Sequence, residues 1–111
     1  MKQVSDKRAK INRARAVLVK RLLDERPICE AQISGCTQLS TDCHEILTRA
    51  RGGSILDEEN IVCLCRSCHS FITENPAWSA EHGFMLHSWS TTADAQAALR
   101  ARLLWVYGDD D

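Results

Sequence analysis

Two cysteine pairs constrain the fold of this chain more than any other feature. Cys29 and Cys36 are separated by six residues, with Gly35 just before the second, and Cys65-x-x-Cys68 follows about thirty residues on. Each loop can turn both thiols towards one point, the glycine permitting a backbone conformation that other residues resist. Four sulfurs brought together suit tetrahedral ligation, so the spacing predicts a structural zinc site made by Cys29, Cys36, Cys65 and Cys68. Two unligated buried pairs would make that spacing a coincidence.

Ligation rather than disulfide bonding follows from the expected compartment. The amino-terminal stretch MKQVSDKRAKINRARAVLVKR lacks the apolar centre of a secretory signal. No apolar run approaches the ~20 residues that span a bilayer. The expectation is a soluble protein without a membrane partner, in a reducing cytoplasm where closely spaced thiols bind metal. Cys43 and Cys63 sit in apolar, strand-like runs and read as small core residues. A chain of 111 residues is one domain by length, with a core small enough for a structural metal to matter.

The net charge of −1 conceals an asymmetry: residues 1–26 carry nine of the fourteen Lys and Arg against three acids. Local basic charge can neutralise phosphates on a slightly acidic protein. Ile11, Ala14, Val17, Leu18, Leu22 and Leu23 recur at helical steps, so Asp6 to Glu25 is predicted as one helix with Ser5 as its cap. Its basic residues fall mostly off the apolar stripe, giving a face suited to a nucleic-acid backbone; a solvated helix face is the plainer reading. Gln38 to Leu47 reads as extended, 48–54 and 57–60 as turns, and Ile61 to Leu64 as a second short strand. Cys65 to Ile72 reads as a knuckle and helix start, and Ala77 to Glu81 as a helical turn. Gly83 to Trp89 reads as a closing strand, and Thr92 to Tyr107 as a final helix ended by Gly108, before a disordered acidic tail. The organisation predicted is a basic helix over 1–26, a central domain over 27–90, and a helix with tail over 91–111, within one compact unit.

Thr41 to Thr73, TDCHEILTRARGGSILDEENIVCLCRSCHSFIT, carries the remaining chemistry. It holds a His-Glu pair, an Arg-x-Arg-Gly-Gly turn, an asparagine before an apolar strand, and Cys-x-x-Cys-His. In this order and spacing it resembles the HNH endonuclease family, most of all its compact zinc-stabilised phage and prophage members, over about residues 22–89. The resemblance implies an α+β protein with a small ββα-metal core, a structural zinc knuckle and flanking helices. It implies a metal-dependent endonuclease hydrolysing DNA phosphodiester bonds with a single catalytic divalent cation, magnesium or manganese first, nickel or zinc next. It places His44 and His69 on that ion, gives Asn60 the task of orienting the loop and the base, and leaves Arg49 and Arg51 to hold phosphate oxygens. Phage terminase or other packaging proteins are implied partners, in a bacterial host cytoplasm.

The chain departs from the commonest pattern where two adjacent histidines are usual, because here they are His44 and Glu45. Three readings follow. Glu45 takes the general-base role, the reading preferred; or His44 is the base and Asp42 a ligand two residues away on one strand face; or hydrolysis is weak or lost. Thr73 stands where many relatives have a further histidine, which favours a loosely held ion with several waters. Outside the resemblance, His69 is also a candidate fourth ligand of a site with three cysteines. His82 and His87 read as surface or packing residues, and Trp78, Trp89 and Trp105 as core or domain-closing aromatics. The competing function is a non-catalytic zinc module that docks on nucleic acid or protein.

Overall fold

In the computed structural model, which describes residues 6–87 and 89–108, β1 (Asp42–Glu45) and β2 (Ile61–Leu64) form an antiparallel two-stranded sheet. The register pairs Asp42 with Leu64, Cys43 with Cys63, His44 with Val62 and Glu45 with Ile61. All four β2 residues are buried, because helices cover both faces. That is why β2 reads as a continuous apolar run rather than an alternating one. Ile61 and Cys63 face α1 (Asp6–Glu25), meeting Leu18 and Leu22 with half-buried Cys43 beside them. Val62 and Leu64 join the larger core, with Ile46, Ile72, Phe84, Ala95 and Leu99.

That core is closed by α2 (Arg66–Glu74), α3 (Pro76–Glu81) and α4 (Thr92–Tyr107). Pro76 opens α3, where its missing N–H costs nothing. The Ser79 hydroxyl donates to the Ile72 carbonyl at 2.7 Å and fastens α3 to α2. A capping box from Thr91 and Asp94 starts α4, and Gly108 at φ 76° ends it. Among the described residues the result is a small α+β domain of two strands and four α-helices, and none of those helices is long and apolar enough to cross a membrane. The Ser5 cap and the acidic tail at 109–111 lie outside the described residues.

A half-buried arginine and a fully buried glutamate that sequence patterning did not single out brace the sheet. Arg26 donates to both carboxylate oxygens of fully buried Glu30, at 2.7 and 2.6 Å, and to the Ile61 carbonyl at 2.8 Å. Glu30 in turn accepts from Cys63 N at 2.8 Å, tying the end of α1 and the first cysteine loop to β2.

The predicted closing strand over 83–89 is corrected: the segment is irregular where it is described. One ladder-like bond remains, from Leu86 N to the Ile46 carbonyl at 2.9 Å. The carbonyls of Phe84 and Leu86 are taken by the side chains of His44 and Arg51 instead of a neighbouring strand.

Candidate metal and catalytic site

The first cysteine loop depends on left-handed backbone at Gln32, Gly35 and Gln38 (φ 56°, 90° and 78°). It is closed by bonds from Cys29 N to Gln38 O at 2.7 Å and from Cys36 N to Ile33 O at 2.8 Å. The second loop is the start of α2, where Cys65 is the N-cap and its sulfur accepts from Cys68 N at 3.3 Å. Between them the sulfurs of Cys29, Cys36, Cys65 and Cys68 all lie within 4.8 Å of one another. Zinc–sulfur bonds of ~2.3 Å at tetrahedral angles put neighbouring sulfurs ~3.8 Å apart. The Cys36 and Cys65 sulfurs are separated by 3.8 Å, so the donor set fits the ion.

Its electrostatics point the same way. Burial pushes the Cys36 and Cys68 thiols up. Burial also opposes ionisation of Cys65, but the Cys68 N–H and hydrogen bonds from Thr37 outweigh it and bring that thiol down to about 6. Thiolates crowd one another unless a dication shares their charge. His69 belongs elsewhere: its Nδ1 donates to the Asp42 carboxylate, and all four cage positions are sulfur. Cys43 and Cys63 stand opposite each other in the sheet, outside the cage.

Strand alternation sorts the other candidates. Asp42 and His44, two residues apart, share the face that looks towards α2. His69 Nδ1 donates to Asp42 Oδ2 at 2.7 Å, and Arg66 Nε lies 3.0 Å from the same oxygen. Burial opposes the Asp42 charge, yet the bonds from His69 and Thr41, with Arg66 nearby, hold this carboxyl below its usual range. The ring of His44, 8% exposed, stands edge-to-face to that of His69 at 5.4 Å. His44 Nε2 donates to the Phe84 carbonyl at 2.7 Å. A carbonyl only accepts, so Nε2 carries the proton and Nδ1 is the basic nitrogen of the neutral ring. Burial keeps that ring neutral by lowering its pKa, the Phe84 bond offsetting part of the effect.

Glu45 does not join this group. It follows His44, so the pleat turns it to the α1 face, where Arg15 Nη2 donates to its Oε2 at 2.8 Å. The two base candidates are therefore on opposite sides of the sheet. With its Nδ1–H given to Asp42 Oδ2 at 2.7 Å, His69 has Nε2 as the nitrogen able to hold an ion. Among the described residues, the four thiols are the only group of three or more potential ligands at common-ion spacing.

Asn60 and Gly53 hold the intervening loop. The buried Asn60 amide accepts from Leu47 N and donates to Leu47 O, both at 2.8 Å, and also donates to Ser54 O at 3.3 Å. These bonds draw residues 47–54 against the end of the sheet. A Cβ at Gly53 would fall 1.8 Å from the Leu47 carbonyl oxygen, a position only glycine can occupy. The loop carries a 3-10 turn (Arg49–Arg51) whose two arginines diverge. Arg51 donates to the Leu86 carbonyl at 2.6 Å, while Arg49 borders a cleft beside α1.

The remaining histidines pack on aromatic rings, His82 stacked on Trp78 and His87 on Trp89. Trp78 is packed against the core, whereas Trp89 and Trp105 are 78% and 62% exposed and close nothing. No known protein family, no curated protein and no solved structure matches the chain.

Proposed function

We propose that this protein is a zinc-stabilised, metal-dependent DNA endonuclease built on an HNH-type ββα core, with β1, β2 and the start of α2 as that core. The observation that carries the reading is the convergence of Asp42, His44 and His69 on one face of the sheet, beside a four-thiol cage that fixes α2. Asp42 and His69 are the residues suited to hold a divalent cation, which would balance negative charge on the phosphate and the leaving oxygen.

The work of the chain's own groups follows from their geometry. His44, with its Nε2 proton committed to Phe84, accepts a proton at Nδ1 from the attacking water. A bond then forms from that water oxygen to phosphorus, the bond to the departing nucleotide oxygen breaks, and that oxygen takes a proton from solvent. Arg66, exposed and within reach of Asp42, is placed to meet a phosphate oxygen. Asn60 keeps the loop and the strand end in register. Glu45 serves as a positioning residue through Arg15 rather than as the base, because the sheet separates it from His69.

The test is nicking of supercoiled plasmid by the zinc-loaded protein in magnesium, manganese or nickel. The expected result is nicking that disappears in His69→Ala while zinc content stays at the wild-type value. DNA binding with no nicking in any of these metals would overturn the enzyme in favour of a non-catalytic zinc module.

A further inference from the structure

One face of α1 does two things along its length. Leu18 and Leu22 pack on the sheet, and Arg15, a turn earlier, spans from Glu45 to the Ile55 carbonyl, to which its Nη1 donates at 2.7 Å. Ile11 and Arg8 continue the same stripe at steps of four and three. Arg15 thereby presses the first half of the helix against the loop that follows β1. Two adjoining clefts open along this seam. One, of about 200 Å³, is lined by Lys7, Arg8, Ile11 and Arg49. The next, of about 160 Å³, shares Ile11 and Arg49 and runs along residues 53–56.

From this placement we infer that the seam between α1 and the 49–56 loop is a binding groove for the phosphate backbone of duplex DNA. The inference rests on the endonuclease reading for its choice of ligand and adds where the substrate lies. Charge is the first reason: Lys7, Arg8 and Arg49 converge from two elements and, among the described residues, the lining holds no acid. The second is that, among the described residues, neither cleft is lined by an aromatic ring on which an unpaired base would stack. Cationic side chains without base-reading groups position a backbone and do not select a sequence. The third is continuity. Arg49 borders the groove, and Arg51, on the same 3-10 turn, bonds the segment whose Phe84 carbonyl holds His44. The turn that bears Arg49 thus joins the groove to the segment that orients His44.

The measurement is binding of a short labelled duplex to the zinc-loaded full chain at several salt concentrations, with no added magnesium or manganese. Each lost phosphate contact should lower the slope of log affinity against log salt by about one. Lys7→Gln with Arg49→Gln is expected to reduce the slope by about two and weaken binding at least tenfold at low salt, with zinc content and melting temperature unchanged. Lys20→Gln is the control: exposed on the same helix, about 20 Å from Lys7 at the helical rise, it should leave the slope unchanged within error. An unchanged slope in the double variant, an equal loss in the control, or tighter groove-dependent binding to single strands or RNA would overturn the proposal. Absence of nicking with the groove-dependent slope intact would count against the endonuclease alone.

Discussion

Replacing His44 with alanine is expected to slow plasmid cleavage by about 100- to 10,000-fold, the usual contribution of a positioned general base. Glu45→Gln should leave the cleavage rate at saturating DNA near that of the wild type. The contrast arises from one peptide unit. The pleat puts the His44 imidazole beside His69 and gives the Glu45 carboxylate to Arg15. Glutamine at 45 retains an oxygen that accepts from Arg15 but has no carboxylate to take a proton, so a base at this position would be abolished. Single-turnover cleavage of both variants in manganese separates the two assignments. Loss in Glu45→Gln with activity kept in His44→Ala would reverse them.

The second large effect belongs to the cage. Cys68→Ser should release the zinc and unfold the domain at room temperature. Structural zinc in small domains is worth ~10–16 kcal/mol of apparent binding energy. The whole stability of a domain this size is about 5–15 kcal/mol. The cage also joins the loop after α1 to the helix that carries His69, so its loss takes the candidate catalytic face with it. Cys43→Ser, half-buried and outside the cage, is the matched control and should keep its zinc. Elemental analysis and circular dichroism read both results. Full zinc content in Cys68→Ser would show that the four sulfurs do not act as one donor set.

Much of the fold was legible because local signals agreed. The apolar stripe of α1, the final glycine of α4, and the four-residue run of β2 each state their own boundaries. The four cysteines were legible for another reason: metal geometry ties loop spacing to a common point, and the sulfurs lie within 4.8 Å of one another. The segment after Gly83 reads as a strand in sequence because Phe84, Met85 and Leu86 form a short apolar run. Its carbonyls instead serve His44 and Arg51, partners about 35 to 40 residues away that no local pattern reveals.

The side of the sheet taken by Glu45 follows from alternation alone, once β1 is accepted as a strand. What sequence could not supply was the reason it stays there, a contact with Arg15 thirty residues earlier. The Arg26–Glu30 brace escaped notice for the opposite reason. A charge pair four residues apart at the end of a helix resembles an ordinary surface pair, and only the tertiary fold makes Glu30 fully buried. Trp89 and Trp105 read as core or domain-closing aromatics because no basic residues are interleaved with them, yet the small and aliphatic residues of α4 complete the core without them.

The proposed endonuclease needs two ion sites with different owners, sulfur for architecture and Asp42 with His69 for chemistry. Electron paramagnetic resonance of manganese titrated into the zinc-loaded protein addresses this most directly. One manganese site is expected in the wild type, lost in both Asp42→Asn and His69→Ala while zinc remains bound. No manganese binding to the wild type, or binding that survives both substitutions, would contradict it.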